Sequence, residues 1–252
     1  MTESRLLQTW AMAAALTLIP SLALRASAQS SAPRVVVGLS GGIQASAPAF
    51  SDRFEFESNV ETATVAVEYP GRSAGVGDGS LGVRLWKGLG LGVAVSTASR
   101  TGSADLDARL PHPLLFERPR SLTGSQSGIR SSELGVHTHL LYMLPVTARV
   151  ALVLSGGPSV VRLTQDLVAG LTYDDTYPFD EVTFRNAPAR RAKASATGLN
   201  AGVDLRWMFT RSIGLGGLVR YSRATVDLNA DARIVQVRAG GAQAAVGMRV
   251  TF

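Results

Sequence analysis

Residues 243–252 alternate without a break: Ala244, Val246, Met248, Val250 and Phe252 fall on one face of an extended chain, and Gln243, Ala245, Gly247, Arg249 and Thr251 on the other. Period two is the repeat of a β-strand. One apolar row ending in an aromatic is what a transmembrane β-barrel demands of its strands, since alternate side chains face lipid and lumen and the apolar row must meet hydrocarbon. An amphipathic edge strand of a soluble β protein has the same parity, so this strand needs support from elsewhere in the chain.

The other end supplies it. Residues 1–10 contain Arg5 and precede an apolar run at residues 11–19, then Pro20 and small residues ending Ala26-Ser27-Ala28. That order reads as a secretory signal with cleavage before Gln29, leaving residues 29–252 as a single domain. The apolar run falls short of the roughly 20 residues that a bilayer-spanning helix requires.

Composition narrows the class further. With 26 Gly and no Cys, disulfides and thiolate metal sites are excluded, and no later apolar segment is long enough for a helical span. The 25 Lys plus Arg exceed 19 Asp plus Glu, but the basic residues are nearly all Arg and are scattered through alternating segments instead of clustering. That distribution argues against a nucleic-acid partner.

Three segments read as hairpins of long strands about a short turn: residues 81–96, 134–154 and 199–221. Residues 100–128 and 165–193, between them, read as long polar loops. Short turns on one side and long loops on the other are the asymmetry of outer-membrane barrels, with turns facing the periplasm and loops facing outward. Residues 234–252 add a seventh strand, and an even number requires one more before Gly77. Residues 35–44 and 61–69 compete for that place, the second with the cleaner alternation through Ala63, Val65, Val67 and Tyr69. The expectation is an all-β, antiparallel, up-and-down transmembrane β-barrel of eight strands. If both segments cross, residues 105–116 supply a further crossing and the barrel has ten.

Parity then assigns facing. Leu134, Val136, Thr138, Leu140, Tyr142 and Leu144 point to lipid, and Glu133, Gly135, His137, His139, Leu141 and Met143 to the lumen. Likewise Leu199, Ala201, Val203, Leu205, Trp207 and Phe209 point outward, leaving Asn200, Gly202, Asp204 and Arg206 inside. An aromatic content of 6% is low for two interfacial girdles, yet Trp86, Tyr142, Trp207 and Phe252 gather at the expected periplasmic ends.

The last strand resembles the C-terminal assembly signal of bacterial outer-membrane β-barrels: Gly247, Met248, Val250 and Phe252 occupy its positions, although Ala245 stands where a polar residue is usual. Leu110-Pro111-His112-Pro113, Gly156-Gly157-Pro158-Ser159, Tyr177-Pro178-Phe179-Asp180 and Arg220-Tyr221-Ser222-Arg223 resemble, in that order, segments of bacterial outer-membrane β-barrel domain proteins akin to the OmpA-type small barrels. The resemblance implies an outer-membrane location in a Gram-negative-type bacterium and recognition by the barrel-assembly machinery. It implies no catalytic motif, and the peptidoglycan-binding domain of full OmpA proteins is not expected.

Candidate sites follow from charge placement. Glu133, His137, His139, Asp204, Arg206, Arg220 and Arg249 fall on lumenal rows and read as a mutually neutralising network in a barrel that just fits its own side chains. The spacing of Glu133, His137 and His139, with roughly 7 Å between alternate positions, would also suit a metal or a proton relay, but nothing identifies a further ligand or nucleophile. His112, between two prolines, reads as a rigid loop element, and the acidic-to-basic run from Asp166 to Lys193 lacks the regularity of a calcium loop. Arg100, Arg130, Arg190, Arg191, Lys193 and Arg223 fall near outer strand ends and read as a rim at the depth of lipopolysaccharide phosphates, which guanidinium groups bind bidentately. The expected protein is a monomer without cofactor or metal and not an enzyme, in contact with outer-membrane lipid and lipopolysaccharide. Its expected role is structural or surface-interacting, with a narrow channel or small-ligand carrier as the alternative and a rim hydrolase behind it.

Overall fold

A computed structural model describes residues 35–45, 47–230 and 233–252, so the expected signal segment at residues 1–28 lies outside the described residues. In chain order the strands are β1 (Val35–Gln44), β2 (Phe50–Ser58), β3 (Glu61–Tyr69), β4 (Ala74–Trp86), β5 (Leu89–Leu110), β6 (Arg120–Pro145), β7 (Val150–Val168), β8 (Thr172–Asp175), β9 (Val182–Asn186), β10 (Ala189–Met208), β11 (Ile213–Ala230) and β12 (Arg233–Thr251). Eight of them, β1, β4, β5, β6, β7, β10, β11 and β12, form a closed antiparallel ring, and β12 returns to β1 through Val36↔Thr251 to Gln44↔Gln243. Phe252 N–H donates to the Val35 carbonyl at 2.9 Å, so both described ends lie at the short-turn rim.

Strand length divides the ring into two levels. A crossing needs about 9–11 residues. β1 and β4 have 10 and 13, whereas β5 and β6 have 22 and 26 and continue well past the belt. Above β1 and β4 their place is taken by the β2–β3 hairpin, which joins the wall through Thr64↔Arg109 to Glu68↔Asp105.

Polarity reverses between the levels. On β11 the exposed row runs Ile213, Leu215, Val219 and Tyr221, then changes to Arg223, Thr225 and Asp227. The inward row changes oppositely, from buried Arg220 and Ser222 to buried Ala224, Val226 and Leu228. Below the change the surroundings are hydrocarbon and the charges must be inside; above it the surroundings are water and the same wall must bury an apolar core. That core joins Val65, Val67, Leu106, Leu110, Leu122, Leu163, Leu167, Val226, Leu228 and Val235, and makes the outer level a turret built like a soluble protein. On β6 the change of level coincides with a bulge: Gly102 pairs Ile129 and Ser103 pairs Ser127, leaving Gly128 over at φ 81, a conformation natural to glycine.

Three expectations are corrected. The strand before Gly77 that completes the ring is Val35–Gln44, not Glu61–Tyr69, whose alternation buries Ala63, Val65, Val67 and Tyr69 in the turret instead. Residues 105–116 are not an additional crossing: residues 105–110 belong to the turret part of β5, so the ten-strand alternative falls. Much of the segments at 100–128 and 165–193 is strand, because Ala104, Leu106, Ala108, Leu110 and Leu122 alternate with polar residues as a water-facing wall requires. β2 was not anticipated at all.

Candidate functional site

The lumen is filled from its walls. Near the short-turn rim, Arg249 donates to Asp204 through Nη2 at 2.8 Å and Nε at 3.1 Å, and its Nη1 reaches Ser40 Oγ at 2.8 Å. Arg206 Nε joins the same carboxylate at 2.6 Å. Glycines make the room: a Cβ on Gly216 would lie 2.5 Å from Arg249 Nε. Farther out, Arg220 pairs with Asp78 at 2.5 Å and with Gln243 Oε1, Gln243 donates to Gln44 at 3.0 Å, and Gln44 donates to the Gly240 carbonyl at 2.8 Å. Glu133 ends this chain of contacts, accepting from Gly240 N–H at 2.9 Å and from Arg100 at 2.8 Å.

His137 sits between two hydroxyls, with Nε2 2.9 Å from Ser96 Oγ and Nδ1 2.8 Å from Ser159 Oγ, and stacks on His139 at 6.1 Å. Both histidines are buried in the membrane level of the barrel. The cavity bounded by Asp78, His139, Asp204, Arg206, Arg220 and Arg249 is about 40 Å³, room for a few waters. All seven residues expected on lumenal rows therefore lie in the packed interior, and Asp78, Arg100, Gln44 and Gln243 complete the network. Asp78 escaped sequence reasoning because it lies in a run of glycines, Gly75, Gly77 and Gly79, that carries little alternation signal.

The outer rim is different. Arg130, Arg191, Lys193 and Arg223 are exposed on the outside of the wall, just beyond the lipid-facing row. Arg190 is exposed at the outer strand end opposite Leu167. Arg100 is corrected: it turns inward onto Glu133, since its neighbours Ser99 and Thr101 hold the outward positions. Arg162 and Arg238 belong to the outer face and were overlooked, although each follows the parity of a buried neighbour, Leu163 or Val237. A cleft of about 340 Å³ opens here, lined by Arg130 and Arg191 with the hydroxyls of Ser99, Thr101, Ser132 and Thr164. Asp166 holds Arg191 at 3.1 Å and accepts from Arg130 N–H at 3.2 Å, fixing one side of it.

At the turret's outer end, buried Arg120 ties the loops together through Asp175 and the carbonyls of Phe179 and Pro111. His112 Nδ1 accepts from Leu114 and Leu115 N–H at 3.1 and 3.2 Å, as a rigid loop element would, and its Nε2 lies 3.9 Å from Asp180. The loop charges pair with one another, Arg185 with Asp174 at 2.7 Å and Arg118 with Asp180 at 3.2 Å. Among the described residues no group of three or more His, Cys, Asp or Glu could hold a metal ion.

A ring of eight strands with an apolar exterior belt, a charged packed interior and long outer strands defines an outer-membrane β-barrel. Solved outer-membrane proteins are similar to it. OprG of Pseudomonas aeruginosa aligns with a TM-score of 0.50 at 12% identity, covering 88% of this chain and 96% of its own. Neisserial surface protein A gives 0.42 at 15% identity, over 86% and 97%. The outer membrane protease OmpT of Escherichia coli gives 0.41 at 12%, over 90% and 99%. The likeness to OprG concerns the fold alone. No protein-family model and no curated protein sequence matches the chain. The expectation that the protein is not an enzyme is withdrawn, because one barrel fold hosts catalytic and non-catalytic proteins alike and does not decide between them.

Proposed function

We propose that this barrel is a plugged surface anchor: a sealed membrane cylinder that holds a rigid turret outside the cell and grips the outer leaflet through a collar of basic residues. The observation that carries this reading is the reversal of polarity along each long strand, with Arg130, Arg162, Arg191, Lys193, Arg223 and Arg238 on the outer wall beside it. At that depth the phosphates of lipopolysaccharide are the available anions, and guanidinium groups with neighbouring hydroxyls, as in the cleft of Arg130 and Arg191, suit them. Gly247, Met248, Val250 and Phe252 are assigned to recognition by the assembly machinery, supported by their place on the closing strand. The likeness to small OmpA-type barrels is supported by the eight-strand ring.

Replacing Arg130, Arg162, Arg191, Lys193 and Arg223 together by Gln tests the collar. Lipopolysaccharide co-purifying with the barrel is expected to fall several-fold and cells to become more sensitive to detergent. Unchanged values in both assays would remove the proposal. Planar-bilayer recordings separate the anchor from a narrow channel, since the anchor gives no conductance steps.

A further inference from the structure

The turret wall has a gap. β2 pairs only with β3, and among the described residues it is the one strand of the large sheet whose second edge meets no other strand. β12 lies across from it, and among the described residues the two are joined by side chains: Arg233 grips Asp52 with Nη2 at 2.8 Å and Nε at 3.0 Å and lies 4.8 Å over the Phe54 ring. Higher up, Ser58 Oγ meets Tyr173 Oη at 3.3 Å. Between these two closures the wall opens into a cleft of about 690 Å³, lined by Arg53, Phe54, Glu55 and Phe56 on one side and by residues 169–171 on the other, with Arg233, held by Asp52, at its end.

We infer that this cleft is a binding site for an extended polypeptide segment of an external protein, which adds as a strand to the free edge of β2. The recognition is that of β-addition: unpaired ladder groups supply main-chain hydrogen bonds, and alternate side chains supply selectivity. Four residues of strand, about 14 Å at roughly 3.4 Å each, run alongside Arg53 to Phe56. Side-chain chemistry sets what fits. Phe54 and Phe56 point to the turret core and ask for apolar partners, whereas Arg53 and Glu55 are exposed and ask for an acidic and a basic residue opposite them.

A second copy of this chain is a poorer match. β2 runs with the tilted wall, so two barrels in one membrane, related by an axis along its normal, would bring their β2 strands together in parallel sense. Arg53 would then face Arg53 and Glu55 face Glu55. The inference uses the outward placement of the turret only for the source of the partner, and its test is independent of the collar.

The probe is a fluorescein-labelled peptide with the core Val-Lys-Val-Glu, which in antiparallel sense sets Lys against Glu55 and Glu against Arg53. Anisotropy is followed with the folded protein in detergent micelles. We expect saturable binding, at least ten-fold weaker for the charge-exchanged core Val-Glu-Val-Lys, with the order of the two peptides inverted by Arg53→Glu combined with Glu55→Arg. Two N-methylated peptides, blocked at alternate amides, keep the test independent of any variant's folding: one blocked set must abolish binding to the unaltered protein and the other must not. Equal binding of both, absence of saturation at millimolar peptide, or concentration-dependent dimerisation that competes with the peptide overturns the inference.

Discussion

Arg220 and Asp78 meet at 2.5 Å inside the barrel although 142 positions separate them in the chain, and each side chain is 1% exposed. Neither water nor lipid can substitute for the lost partner if one is removed. Asp78→Leu leaves the guanidinium with Gln243 alone, and a buried charge stripped of its partner costs about 3–5 kcal/mol. Urea unfolding of the barrel in micelles should register that loss. Asp78→Leu with Arg220→Met should recover more than half of it, because the pair together contributes far less than its breakage costs. Equal losses in single and double variants would show that the pair does not hold the lumen.

Two adjacent glycines on β11 predict opposite outcomes for one substitution. A Cβ on Gly216 would meet Arg249 Nε at 2.5 Å, whereas one on Gly217 meets nothing within 4 Å. Gly216→Ala must therefore push Arg249 away from Asp204 and is expected to cost about 1–3 kcal/mol. Gly217→Ala is expected to change stability by less than about 0.5 kcal/mol. The pair of unfolding midpoints is the measurement, and similar midpoints contradict the packed lumen.

Facing was legible where a single row carries one kind of residue. On residues 134–144 the outward row Leu134, Val136, Leu140, Tyr142 and Leu144 is interrupted by Thr138 alone, so parity placed His137 and His139 inside beside Glu133. It failed where the environment changes along a strand: on β5 the outward row passes from Leu91, Val93 and Val95 to Asp105, Asp107 and Arg109, which reads locally as a loop although the backbone ladder continues. The same change hid the first barrel strand. Residues 35–44 are rich in glycine and alternate weakly, while residues 61–69 alternate well because they line a water-surrounded core. Pairings such as Asp78 with Arg220 depend on which strands become neighbours, and no local pattern carries that.

The two-level wall predicts that an added charge is tolerated according to depth, on the same outward parity. Leu140→Arg puts a guanidinium on the lipid face and should destabilise the bilayer-embedded barrel by about 2–4 kcal/mol. Thr225→Arg lies on the exposed face of the turret and should change stability by less than about 0.5 kcal/mol. Refolding equilibria in vesicles measure both, and equal effects would place the two residues in one environment.

Tyr69 gives the turret a defined alkaline limit. Its hydroxyl accepts from Val168 N–H at 2.8 Å, its ring stacks on Phe50 at 4.4 Å, and the residue is 4% exposed. Burial pushes the hydroxyl well above the ordinary phenol range, and the nearby Asp52 carboxylate works in the same direction. In the unfolded chain a tyrosine loses its proton near pH 10, about the value of free phenol side chains. The folded turret keeps its proton there, so deprotonation favours unfolding: stability from this group is complete below about pH 10 and declines as the pH rises beyond it. Tyr69→Phe removes the titration but leaves Val168 N–H without its acceptor, a loss of about 1–3 kcal/mol at neutral pH. The variant should therefore be less stable than the natural chain at pH 7, and the gap should narrow above pH 10. Protease cleavage of the turret followed against pH, with the membrane level protected in micelles, makes the comparison. A gap that stays constant across that range would mean that Tyr69 ionises as readily in the fold as outside it.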